Sequence, residues 1–223
     1  NKKLFRKKLM VLKVKICGVK SINHVKACIK GKAKMVGFIF YNKSPRFINL
    51  KTAEKISNFA KKKIKRVGVI ANTNIKEIKK ITETVDLDYL QFHGNETPGF
   101  IRNVKKISKT KIIKALKISN KNDIKKISNF KKVSDYILID TKIVTKKNLS
   151  FKKKSRKLDW DLFKKIKDKQ KLILSGAINI NNLEQAIKDS NIRFIDVSSS
   201  LETIPGKKNI KKINKFLKLA TKL

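Results

Sequence analysis

Short β-branched runs alternate along this chain with longer stretches in which apolar residues return every three or four positions. The runs VKIC (14–17), KMVGFIF (34–40), RVGVI (66–70), DYLQF (88–92), KIIKAL (111–116), DYILID (135–140), KLILS (171–175) and RFIDVS (193–198) have the length and composition of strands. Between and after them the spacing predicts helices near 22–30, 51–63, 75–84, 98–107, 122–131, 160–167, 181–189 and 208–221. In the second of these Ala53, Ile56, Phe59 and Ala60 form one apolar stripe with lysines on the other face. Asn49, the pair Thr73-Asn74 and Asn179 stand where helix N-caps are needed.

Strand, crossover helix and next strand imply parallel pairing. Eight such units in 223 residues predict a single-domain α/β fold, a parallel eight-stranded (β/α)8 TIM barrel. An open doubly wound sheet is the competitor. Its nucleotide turn would read G-x-G-x-x-G, and the first turn here reads CGVKS. The barrel is assigned to 13–223, and residues 1–12, opening NKKLFRKKLM, are set aside as a basic N-terminal arm. No long apolar run with a small-residue cleavage site follows that arm, and no run approaches 18 apolar residues, so neither a secretory signal nor a membrane partner is expected. Cys17 and Cys28, the only cysteines, fit neither a disulfide framework nor a zinc spacing, which points to a reducing cytoplasm.

The net charge of +42 raises a nucleic-acid reading. Only six of the 58 basic residues are arginines, and aromatics make up a scattered 7%. A nucleic-acid surface draws on arginine forks and stacking rings. Abundant Lys, Ile and Asn is what AT-rich codons produce. Nucleic acid is therefore expected only as a nonspecific partner at low salt. The oligomeric state is not readable.

A barrel does its chemistry at the carboxyl ends of its strands. Cys17 closes the first strand and Asp140 the sixth, and both can move protons. On residue type alone the Cys17 thiol could equally be inert filler, a ligand, half of a disulfide, or a working acid or base. No carboxylate or histidine cluster suits a metal, so no metal is expected. SGAINI and SSSLETIPGKK, after the last two strands, offer small residues where backbone N–H groups reach a phosphate, although such residues also simply make tight turns.

KICGVKS, GFIFYNKSPRFI, LDYLQFHGNE, YILIDTK, LILSGAININNLEQAI and IDVSSSLETIPGKK follow one another in this order. Together they resemble the phosphoribosylanthranilate isomerase family of tryptophan biosynthesis, from about Val14 to the C-terminus. The resemblance implies a cofactor-free Amadori rearrangement of N-(5'-phosphoribosyl)anthranilate. It implies Cys17 as general base, Asp140 as general acid and Arg46 as the partner of the anthranilate carboxylate. Asp196, Gln91 and His93 would touch the substrate, and backbone around Gly176, Ala177, Ser199 and Ser200 would hold its phosphate. A noncatalytic basic barrel and another phosphosugar isomerase are the competing readings, and neither requires Cys17, Asp140 and Arg46 together.

The chain departs from the family pattern in three places. LSFKKKSRKLDW (149–160) has no glycine where the family carries a glycine-rich lid, and lysines between 142 and 157 could serve there as an anion clamp. Ala177 and Ser200 replace family glycines, which is tolerable while φ stays negative.

Overall fold

The structure is a computed structural model that describes residues 11–141, 160–164, 166 and 168–223. The proposed lysine clamp of 142–157 lies outside the described residues. The barrel strands are β1 (Lys13–Cys17), β2 (Met35–Ile39), β3 (Lys65–Ile70), β4 (Tyr89–Phe92), β5 (Lys111–Ile118), β6 (Tyr136–Thr141), β7 (Leu172–Ser175) and β8 (Phe194–Val197). They pair in chain order, all parallel, and β8 returns to β1 with Val14 opposite Ile195 and Ile16 opposite Val197. The expected closed barrel is what forms.

Period-two alternation sorts the side chains into two cores. Met35, Val67, Tyr89, Ile113, Leu138, Ile173 and Phe194 point inward and fill the barrel. Their chain neighbours, among them Ile16, Val36, Phe38, Ile112 and Ile139, point outward into the shell between strands and helices. Both faces are buried, so the strands read as nearly continuous apolar runs rather than alternating ones.

The shell helices are α1 (Ile22–Lys30), α2 (Leu50–Ala60), α3 (Ile75–Thr84), α4 (Pro98–Ile107), α5 (Lys121–Lys131), α6 (Leu183–Ser190) and α7 (Ile210–Ala220). Their starts are set locally. Ser21, Asn49, Asn74, Thr97, Asn120 and Asn209 each accept a hydrogen bond from a backbone N–H of the first turn. Each such cap contributes about 1 kcal/mol.

Three expectations change. Where a helix is anticipated over 160–167, the described residues show a 3-10 turn, Trp160–Phe163, whose Trp160 and Phe163 are buried in the shell core. Asn182, not Asn179, occupies the position before α6. Asn179 instead folds the preceding loop, its Oδ1 accepting from the N–H of Asn181. Finally, the segment after β8 is more than a small-residue loop. After a 3-10 turn at Ser199–Leu201 it forms a hairpin, β9 (Glu202–Ile204) with β10 (Lys207–Lys208), that brings two charged side chains back over the barrel mouth.

Candidate active site

The carboxyl ends of the strands surround a cavity of about 1010 Å³. Cys17, Arg46, Gln91, His93, Asp140 and Asp196 all line it, as do Gly176, Ala177 and Ser199. Ser200 does not. Its hydroxyl donates to Ile178 O at 2.7 Å and braces the loop behind the wall.

Cys17 ends β1 because the chain must turn there. Gly18 takes φ +78°, and its N–H and that of Val19 both donate to Gly37 O, at 2.8 and 3.1 Å. A Cβ on Gly18 would meet Arg46 Cδ at 2.9 Å, so the bare residue also lets the Arg46 stem lie against the turn. The thiol faces the barrel interior and is buried, and neither cysteine forms a disulfide. Burial pushes the thiol up. Lys15 and Lys208 oppose that push, while Asp196 adds to it.

Asp140 sits on the other side of the cavity, in register with Lys117 of β5 and Ser175 of β7. Its Oδ2 lies 3.6 Å from His93 Nε2, and His93 Nδ1 lies 3.0 Å from Gln91 Nε2. Gln91 is buried and sits two residues below His93 on β4, so it anchors the ring that reaches over β5 to the carboxylate.

Arg46 presents a fork, but to a carboxylate of its own chain. Its Nε and Nη2 donate to the two oxygens of Glu202 at 2.8 and 2.7 Å. Glu202 also accepts from the N–H of Gly206 at 3.2 Å and from Lys208 Nζ. Burial alone would raise the Glu202 carboxyl, but Arg46 and Lys208 hold it below the usual range. The pair leaves Arg46 Nη1 uncommitted among the described residues, and the bidentate grip fixes the plane of the guanidinium.

The β7 and β8 loops carry the backbone that the sequence assigned to phosphate. Gly176 has φ +98°, and a Cβ there would stand 2.4 Å from Thr141 Oγ1. Ala177 does not keep φ negative. It takes φ +49°, the left-handed region, and its carbonyl is held there by the amides of Asn179 and Asn182 at 3.3 and 3.0 Å. A non-glycine residue in that region costs roughly 1–2 kcal/mol. The loop therefore keeps the conformation suited to glycine and carries it on an alanine.

Sequence reading assigned no role to Lys15, Glu202, Lys208 or Lys117. Lys15 ion-pairs with Asp196 at 2.8 Å inside the barrel. Lys208 donates to Ser198 Oγ at 3.2 Å, and Ser198 in turn donates to Cys17 O at 3.0 Å. Lys117 lines the cavity. Glu202 and Lys208 were visible as letters of the ETIPGKK stretch, but nothing local in the sequence says that they meet Arg46. Among the described residues no group of three His, Cys, Asp or Glu side chains could hold a metal ion. No helix there is long and apolar enough to cross a membrane.

Residues 14–219 match the model of the family described as "N-(5'phosphoribosyl)anthranilate (PRA) isomerase". A protein of that name from a Thermoanaerobacter species is 36% identical over 207 residues, 93% of this chain and 97% of its own. One from Rhizobium rhizogenes is 33% identical over 203 residues, 91% of each chain. The crystal structure of the Thermotoga maritima phosphoribosyl anthranilate isomerase superposes with a TM-score of 0.82 at 32% identity, covering 96% of this chain and 100% of that one. A structure of such an enzyme in complex with reduced 1-(o-carboxyphenylamino)-1-deoxyribulose 5-phosphate superposes with a TM-score of 0.80 at 31% identity, with the same coverage.

Proposed function

Since this chain belongs to the N-(5'-phosphoribosyl)anthranilate isomerase family, we propose that Cys17 and Asp140 carry that isomerisation here as general base and general acid. The reaction is the step of tryptophan biosynthesis that turns N-(5'-phosphoribosyl)anthranilate into 1-(2-carboxyphenylamino)-1-deoxyribulose 5-phosphate. The observation that carries the assignment is the placement of a buried thiol and a carboxyl on opposite sides of one cavity at the catalytic end of a closed barrel.

Asp140 protonates the furanose ring oxygen, and the C1'–O4' bond breaks to leave an iminium at C1'. Cys17, as thiolate, then takes the proton from C2'. The C2'–H electrons move to form the C1'–C2' double bond, and the iminium π electrons return to nitrogen. The resulting enolamine tautomerises, giving the ketone at C2' and a methylene at C1'. No electron leaves the substrate, so the scheme requires no redox partner, and neither a cofactor nor a metal enters it. General acid–base catalysis of this kind contributes typically 10²–10⁴-fold per group.

Binding follows the same reading. Gly176, Ala177, Ser199 and Ser200 frame the phosphate, the first three from the cavity wall and Ser200 by bracing it. Arg46, its plane fixed by Glu202, offers Nη1 to the anthranilate carboxylate. Gln91, His93 and Asp196 contact the sugar. A small phosphorylated ligand suits these loops, and residues 13–223 serve as the catalytic domain, with Leu12 just before them packed in its shell core. Phosphoribosylanthranilate generated in place loses its fluorescence on turnover. Rapid loss with the parent and near-complete arrest with Cys17→Ala and with Asp140→Asn is the expected result. Folded parent protein without turnover would return attention to the charge of +42 and to polyanion binding.

A further inference from the structure

Lys15 plays no part in the scheme above, yet it is fully buried and is one of the large side chains so enclosed among the described residues. An ammonium in a barrel interior carries a desolvation cost of several kcal/mol unless it is well paired. Asp196 Oδ1 stands 2.8 Å from its Nζ, and Asp196 Oδ2 accepts from Ser175 Oγ at 3.2 Å. The pair is thus braced from β7 and β8.

Lys15 and Cys17 lie two residues apart on β1 and project to the same inner side. Opposite Cys17 in register stands Gly37 of β2. A Cβ on Gly37 would lie 2.9 Å from Cys17 Sγ and 3.4 Å from Lys15 Nζ. The thiol and the ammonium therefore share the space that glycine leaves open.

We propose that Lys15 is a positioning residue for the reaction: its ammonium, pinned by Asp196, is the built-in countercharge of the Cys17 thiolate. This rests on Cys17 being the base. Lys15 keeps its proton throughout, and the proton taken from C2' ends on sulfur. The other charges around the thiol are Asp196 from β8 and Lys208 from β10, with Arg46, engaged by Glu202, against the Gly18 turn. Asp140 and His93 face it across the cavity. Burial works against charge on Lys15, but Asp196 and the thiol together hold it above the ordinary lysine range. It remains a cation at every pH at which the thiolate is needed.

The test reads the thiol itself. In a Cys28→Ala background Cys17 is the only cysteine, and the pH dependence of its alkylation by iodoacetamide gives its midpoint. Lys15→Met is expected to raise that midpoint by a pH unit or more, about tenfold less thiolate at a given pH below it. Lys15→Arg should stay near the parent, and Asp196→Asn should move the midpoint down. Lys15→Met alone leaves a buried carboxylate unpaired, so the same step is also taken from Asp196→Asn to the double variant, where a rise of the same sign is expected. An unchanged midpoint in both backgrounds, with intact circular dichroism, overturns the proposal. Turnover by Cys17→Ala separates the two readings. An uncoupled thiol in an enzyme that needs Cys17 removes only the Lys15 assignment. Turnover that survives Cys17→Ala removes the base, and with it any catalytic part for Lys15.

Discussion

Two buried lysines, Lys15 on β1 and Lys114 on β5, each stand 2.8 Å from a carboxylate, and they do different work. Lys15 points into the barrel, beside a thiol. Lys114 lies between Ile113 and Ala115, which point inward, so it projects the other way, toward the shell, with Nζ 5.6 Å from the Phe130 ring of α5. Its partner Glu96 also accepts from the N–H of Asn72 at 2.7 Å and of Gly94 at 3.1 Å. That carboxylate ties the loop after β3 to the loop after β4. At Lys114 burial outweighs the help from Glu96 and pulls the ammonium below the ordinary lysine range, whereas Lys15 is held above it. Equal distances thus hide unequal surroundings. The shell pair closes loops, and the interior pair faces a reactive group.

Exchanging each lysine for methionine separates the two roles most widely. Lys15→Met is expected to lower kcat at neutral pH about tenfold, the loss of thiolate that a one-unit rise of the Cys17 midpoint brings. Lys114→Met should leave kcat within a few-fold and leave the Cys17 alkylation midpoint where it was. Equal losses of kcat in the two variants would erase the distinction. On stability the two exchanges should not separate: Lys15→Met and Lys114→Met each strand a buried carboxylate, and Lys114→Met should cost about 3–5 kcal/mol in urea unfolding. Adding Glu96→Gln to that variant should recover much of the loss.

Arg46→Lys tests a third charged group, one that joins structure to site. A point charge cannot make the two-armed contact with Glu202, so KM is expected to rise about tenfold with a smaller change in kcat. Steady-state kinetics at fixed ionic strength would show it.

At the opposite end of the barrel an ion pair should matter for stability alone. Asp88 accepts from Lys65 Nζ and from Arg66 Nε, each at 2.8 Å. Burial would raise its carboxyl, but the Arg66 and Lys65 contacts bring it from 3.8 down to about 2. A carboxyl depressed on folding contributes stability that is fully present above its unfolded pKa and is lost as the pH falls through the folded one. Acid unfolding between about pH 4 and 2 should therefore be shallower in Asp88→Asn, with turnover at neutral pH unchanged. The smallest effect is expected from Ala177→Gly. Relief of the left-handed strain, less the entropy that glycine adds to the unfolded chain, should gain about 1 kcal/mol or less, seen as a slightly higher melting temperature.

Sequence legibility followed the range of the forces involved. Short β-branched runs and helix caps act over a few residues, so the eight strands and most helix starts could be placed from the chain alone. Asn179 misled because an asparagine that folds its own loop and one that caps a helix look alike until the backbone is seen. The 160–167 helix failed for a related reason: Trp160 and Phe163 have helical spacing, but one 3-10 turn already buries both.

The ends of the strands were legible too, and with them Cys17 and Asp140 as groups around one mouth, whereas Asp196 came only with the family resemblance. That much follows from the sequence, since a strand's period and length fix which residue emerges at its end and on which side. The sequence could not say which charge meets which. Lys15 reaches Asp196 across 181 residues, and Arg46 reaches Glu202 across 156. Those partners are chosen when β8 closes on β1 and the β9–β10 hairpin folds back, because only closure removes the water that would otherwise keep each charge solvated and indifferent to the others.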